Sequence, residues 1–209
     1  MQFFSRYQHL FFSILFTFFL VGIRMIMTGT HTFAFIPWNT FLAIVPLWFS
    51  YLLPAARGRV AWLYAALWLL FFPNAMYMVT DLFHLREREK VPYWADLLLL
   101  FSAAVNGLIA GFLSLYNTEQ WLRQRGSGKR RHLFIVAAML LCGYGIYLGR
   151  YERWNSWDVV AQPFALLSGI ADHILHPMRN IDAWMVTGLF GVWMYLLYGF
   201  LKTGFRRIR

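Results

Sequence analysis

Six blocks of almost unbroken apolar sequence divide the chain, each close to the roughly 20 residues an α-helix needs to cross a bilayer core of about 30 Å. They cover residues 9–27, 33–53, 60–79, 94–116, 132–148 and 183–201. The runs are continuous and do not alternate, so they read as helices. A spanning barrel would show segments of roughly 10 residues with period two, and no third architecture satisfies the backbone inside lipid. A seventh segment, residues 163–176, places Phe164, Leu167, Ile170 and Ile174 on one helical face. Ser168, Asp172, His173 and His176 gather on another. This segment is too short to span, and it reads as an interfacial amphipathic helix with Pro163 in its first turn and Pro177 at its end. The expectation is an all-α polytopic membrane helical bundle of about six transmembrane helices plus this short interfacial helix. It would form a single transmembrane domain over residues 1–209.

Composition agrees. The chain is 60% hydrophobic and 13% charged, against about half and about a quarter in soluble domains. The first block follows Arg6 and so has the start of a signal peptide. Its apolar core is long, however, and no small-residue cleavage site follows, so it reads as a retained helix. The net charge of +10 lies mostly between blocks, which is a topology signal rather than a nucleic-acid surface; no nucleic-acid recognition motif is present. Sorting the connections alternately gives twelve Lys and Arg on one face and six on the other. The positive-inside rule then puts both termini in the cytoplasm of a multi-pass cell-membrane (plasma or inner) protein. Trp38, Trp94, Trp154 and Trp184 mark the outer interface, and Trp62 and Trp121 the inner one. Gly126-Ser127-Gly128 is read as a flexible turn whose flanking basic residues anchor the topology near anionic lipid. Cys142, alone in an apolar run, rules out an internal disulfide and reads as a small buried residue.

Two polar motifs interrupt the apolar pattern, and both are expected at the outer face. In the first, Pro73 should kink or break the third helix. Asn74, Tyr77, Asp81 and His84 follow at helical spacing on one face, and such a stripe should face the bundle or water. Asn74 can serve simply as a packing hydrogen bond, and Asp81 and His84 as a helix end meeting water. Asp-x-x-His is also a possible metal-ligand spacing, because i and i+3 side chains are neighbours on a helix. The second motif runs from Leu148 to Asp158 and concentrates Arg150, Glu152, Arg153, Trp154, Asn155, Trp157 and Asp158. Guanidinium forks fit phosphate or carboxylate, and tryptophans anchor at headgroup depth. The alternative is a loop docked by internal ion pairs, such as Arg153 with Asp81 or Asp158. Asp172, His173 and His176 resemble a metal cluster on paper, and a wetted helix face explains them equally well. Arg24, Asn39, Asp96 and Asn106 are further polar residues within apolar blocks. Arg24 can snorkel or pair with an acid, and Asn106 suits a packing hydrogen bond.

The segments Phe72-Pro73-Asn74-Ala75-x-Tyr77-x-x-Thr80-Asp81 and Leu148-Gly149-Arg150-Tyr151-x-Arg153-Trp154-Asn155-Ser156-Trp157-Asp158 resemble a bacterial integral membrane family catalogued as domain of unknown function 1361. Asn106-Gly107 and Ser114-Leu115-Tyr116 share the likeness, which covers nearly all of the chain. The resemblance implies a multi-spanning inner- or plasma-membrane protein. It implies no activity, so no catalytic residue, metal or cofactor is assigned from it.

The candidate polar site is thus Asn74, Tyr77, Asp81, His84, Arg150, Arg153, Asn155 and Asp158. Beyond the lipid bilayer, its expected partner is an anionic lipid headgroup or another membrane protein. The alternatives are a membrane-embedded enzyme on lipid-linked or phosphate-bearing substrates, with Asp81 or His84 as general base, and a small-solute transporter component. Against transport, the polar residues cluster at one end and no inverted repeat is visible.

Overall fold

The computed structural model describes residues 2–126 and 128–207, with side chains as far as residue 204. Ser127, the centre of the expected Gly-Ser-Gly turn, lies outside the described residues, as do Arg209 and the side chains of Arg206 and Arg207. Nine α-helices form among the described residues: α1 (Gln2–Arg6), α2 (Gln8–Thr28), α3 (Phe35–Leu52), α4 (Gly58–Tyr77), α5 (Tyr93–Arg123), α6 (Gly128–Arg150), α7 (Asp158–Ala161), α8 (Pro163–Leu175) and α9 (Ile181–Arg207). A 3₁₀ helix, Met78–His84, continues α4. Six of these segments are long and apolar enough to cross a membrane: α2, α3, α4 with its 3₁₀ extension, α5, α6 and α9. The protein is an all-α, multi-pass membrane protein.

Local chemistry explains several helix ends. Gly29 closes α2 in the left-handed conformation at φ 66°, and its N–H returns to the Met25 carbonyl. Glycine carries no Cβ penalty there. Pro163 opens α8, where its missing N–H costs nothing. Of the kink or break expected at Pro73, the break does not occur. Helix α4 runs through Pro73 to Tyr77 and tightens into 3₁₀ geometry only at Met78. Membrane helices accommodate proline when neighbours re-satisfy the freed backbone. Helix α5 continues to Arg123 although the apolar block stops at Tyr116, because residues 117–123 include the good helix formers Glu, Gln, Leu and Arg.

The chain divides into two compact units, Met1–Thr118 and Glu119–Arg209. In the N-terminal unit, α2 and α5 share two apolar clusters. One is built on Val21, Phe33, Leu99, Leu100 and Ala103, and the other on Tyr7, Leu10, Ile14, Leu47 and Ala110. Polar bonds link the same two helices. Ser13 donates to Asn106 Oδ1 at 2.6 Å, and Asn106 Nδ2 donates to Thr17 Oγ1 at 2.9 Å. Thr17 and Ser102 are 2.9 Å apart. Each such bond within lipid contributes about 0.6 kcal/mol on average. Asn117 ties in Tyr7 and Ser50, at 2.8 and 3.2 Å. Gly107 and Gly111, one helical turn apart on α5, let α4 come close. A Cβ on Gly107 would lie 2.5 Å from the Ala75 carbonyl oxygen.

The C-terminal unit repeats this device between α6 and α9. A Cβ on Gly143 would lie 2.6 Å from the Thr187 carbonyl oxygen. Cys142, fully buried, packs with its sulfur 4.0 Å from that of Met194. Glu119 opens this unit as a buried carboxylate. It accepts from Tyr198 Oη at 2.5 Å and pairs with Lys202 and with Arg131 at 3.4 Å. Trp121 is 2% exposed, with the Arg125 guanidinium 4.4 Å over its ring.

Candidate functional site

The first motif closes the end of α4. Asp81 is 1% exposed, so its carboxylate needs compensating donors. Asn39 of α3 supplies one, Nδ2 to Oδ2 at 3.0 Å. Asn74 donates back to the Phe71 carbonyl at 3.1 Å, and Thr80 to the Tyr77 carbonyl at 2.7 Å. His84 Nδ1 lies 3.2 Å from the Asp81 carbonyl oxygen, and Phe35 packs against the imidazole. The fold therefore brings Asp81, His84 and Asn39 together at the junction of α3 with the 3₁₀ turn. Tyr77 is half-buried one turn before.

The strongest charge centre beside this motif was not assembled by sequence reasoning. Arg24, near the end of α2, and Asp96, in the first turn of α5, are 4% and 2% exposed and pair at 2.8 Å. Arg88 adds a second guanidinium at 2.8 Å from the other Asp96 oxygen. Both guanidiniums stand over the Phe33 ring, at 4.3 and 5.1 Å. Arg24 therefore does not snorkel. Its Nη1 also reaches Thr30 Oγ1 at 3.3 Å, which ties the α2–α3 connection to the pair.

The second motif caps α6. Arg150 is the last helical residue and half-buried. The chain then turns on Arg153, which sits in the left-handed region at φ 63°. That turn returns the Trp154 N–H to the Leu148 carbonyl at 3.0 Å. Left-handed backbone costs a non-glycine residue roughly 1–2 kcal/mol, and glycine is the usual solution at a helix C-terminus. Asp158, 8% exposed, accepts from the Asn155 backbone and side chain at 2.7 and 3.2 Å. Asn155, not Arg153, therefore holds Asp158, while Arg153 is exposed. Of the eight candidate residues, the first four belong to the N-terminal unit and the last four to the C-terminal unit.

A further buried polar centre of the second unit lies on α8. His173 is 4% exposed rather than on a wetted face. Its Nε2 is 2.8 Å from Glu152 Oε1, and its Nδ1 is 2.7 Å from Tyr144 Oη. Trp154 Nε1 donates to the other Glu152 oxygen at 3.0 Å, and Trp184 Nε1 to the His173 carbonyl at 3.1 Å. Only Leu166 and His173 of α8 are buried. They are seven residues apart, two helical turns on one face. Leu167 and Ile174 have the same spacing and are exposed, so the spacing alone does not separate His173 from Asp172 and His176. Val160, Phe164, Leu175 and Met178 in and beside α8 are 72–86% exposed, as an interfacial helix against lipid requires.

Asp172 faces out. Its acidity is strengthened, with the pKa below 3.8, first by the Asn180 amide and then by His176. Asn180 Nδ2 and His176 Nδ1 lie 3.0 and 2.9 Å from its two oxygens. A depressed carboxylate pKa contributes stability that is complete above the ordinary value and lost as pH falls through the lowered one. The protection factors of the His176 and Asn180 amides, corrected for the intrinsic pH dependence of exchange, should therefore fall on acidification into that window. Asp172→Asn should abolish the pH dependence.

Among the described residues, no three His, Cys, Asp or Glu side chains converge as metal ligands. A family model described as protein of unknown function (DUF1361) matches residues 38–197. Neither the curated proteins nor the solved structures gave a match.

Proposed function

The chain belongs to the DUF1361 family, and from that premise and the geometry above we propose that it binds the phosphate-bearing headgroup of a membrane lipid at the end of α6. The observation that carries this reading is Arg153, an exposed cation held in a backbone conformation that glycine would adopt without strain. Strain retained at an exposed charged residue points to a use for that residue. Around it, Glu152, Asn155 and Asp158 are engaged in holding the loop. Trp157 is exposed beside it, and α8 offers its apolar side to the acyl region. A guanidinium between aromatic anchors and an immersed helix has the chemistry to take a phosphodiester. In this reading both termini lie in the cytoplasm of a cell-membrane protein, supported by the excess of basic residues on the connections of that side. The site then meets the outer leaflet.

Arg153→Gly separates binding from folding. The variant should gain about 1 kcal/mol of stability by relieving the left-handed residue. It should also lose about fivefold in preference for phosphatidylglycerol over phosphatidylcholine, the equivalent of about 1 kcal/mol per basic residue at an anionic surface. Native mass spectrometry of lipid adducts measures the preference. An unchanged preference in a stabilised Arg153→Gly protein rules the site out.

A further inference from the structure

Tyr144, His173 and Glu152 are joined in one hydrogen-bonded line, and its polarity follows from their chemistry. A carboxylate only accepts, so the 2.8 Å contact requires the proton on His173 Nε2. In the neutral imidazole Nδ1 is then an acceptor, and the 2.7 Å contact is Tyr144 O–H donating to it. Hydroxyl, imidazole and carboxylate stand in the order of a nucleophile, its general base and the group that orients the base. The supports are as specific. Trp154 fixes the second Glu152 oxygen, and Trp184 holds the His173 backbone while stacking on Tyr144 at 6.1 Å. Tyr147 meets the imidazole edge-on at 5.6 Å. Water is kept from His173, while Tyr144 and Glu152 keep partial exposure. A helix dock would be satisfied by apolar packing at this position. Two consecutive charge-compatible hydrogen bonds through one imidazole exceed what docking needs.

We propose that Tyr144 is a nucleophile toward the phosphorus of a lipid phosphodiester, activated by His173 and oriented through Glu152. The substrate class rests on the headgroup reading above. The Tyr144 oxygen forms a bond to phosphorus while its proton passes to His173 Nδ1. The bond from phosphorus to the headgroup alcohol breaks, and the departing oxygen takes that proton. Water then cleaves the phosphotyrosine ester, giving one proton to His173 Nδ1, which passes it to the departing Tyr144 oxygen and restores the hydroxyl. Tyr144 is the catalytic residue; Glu152 is a positioning residue.

The test uses the full chain in phosphatidylcholine nanodiscs with a lipid-tailed fluorophosphonate. Fluoride replaces the alcohol as leaving group, and labelled tyrosines are counted by peptide mass spectrometry. Tyr144 should be labelled at least about tenfold faster than Tyr147 and Tyr151. His173→Asn should remove most of that advantage, since a positioned base contributes about 10²–10⁴-fold. Glu152→Gln, which keeps an acceptor for Nε2 without the charge, should lower it by a smaller factor and serves if His173→Asn does not fold. Equal labelling of the three tyrosines, or Tyr144 labelling insensitive to both substitutions, overturns the triad. The probe is uncharged at phosphorus, so its reaction does not need Arg153. Its labelling is read on the otherwise unaltered chain, so the triad stands or falls by it separately from the lipid preference that tests the headgroup site.

Discussion

Asp96→Ala should cost roughly 3–5 kcal/mol, the penalty for removing one partner of a buried ion pair. The two arginines it faces respond differently. Arg88 is 26% exposed and can turn its charge to water, whereas Arg24 is 4% exposed and cannot. The Phe33 face would remain beneath the Arg24 guanidinium, but a cation–π contact contributes only about 2 kcal/mol even when desolvated. The loss of the counter-ion therefore dominates. Two further variants separate charge from packing. Arg88→Gln should cost about 1 kcal/mol or less, as expected for a partner that can turn to water. Arg24→Met combined with Asp96→Leu should recover most of the stability, because apolar replacement of a whole buried pair is often neutral. Reversible unfolding in mixed micelles reports all three. A double variant as unstable as Asp96→Ala would mean that the cost lies in packing and not in the stranded charge.

Gly143→Ala should destabilise although alanine is the better helix former. The propensity gain is at most about 1 kcal/mol. Against it, the new Cβ would lie 2.6 Å from the Thr187 carbonyl oxygen and 3.1 Å from the Thr187 Cα. These are backbone atoms that move only if α9 moves, and forced overpacking costs about 1–3 kcal/mol. Gly188 on α9 is the matched control. A Cβ there meets nothing within 4 Å, so Gly188→Ala should be neutral or stabilising by up to about 1 kcal/mol. Thermal unfolding of the pair decides it, and equal effects would place α6 and α9 further apart than described.

The six spans were legible because each is a long continuous apolar run, and a bilayer allows few alternatives for such a run. Helix ends were less legible. Pro73 reads as a kink or break, yet α4 stays helical through it to Tyr77. The end of α5 is masked by the polar residues Asn117, Thr118 and Glu119, which are helical, and the last two are buried. The polar candidates were legible as residues but not as pairs. Nothing local links Arg24 to Asp96, 72 positions away. Nothing local links Tyr144 to His173, because the register between helices is set by packing. Spacing does not separate His173 from its neighbours either, because Leu167 and Ile174 share the seven-residue interval of Leu166 and His173 and are exposed. The left-handed Arg153 leaves no mark in the sequence, since glycine, the usual sign of such a turn, is absent.

The Arg24–Asp96 pair also bears on how the chain is made. Synthesis delivers α2 to the membrane long before α5, so its arginine first meets lipid without a counter-ion. A lone arginine at mid-span raises the insertion cost by roughly 2.5–3.5 kcal/mol; Arg24, near the end of α2 and offset by the residues around it, falls below that figure. Helix α2 carries that smaller cost until Asp96 arrives on α5, so the ion pair couples the insertion of the two helices.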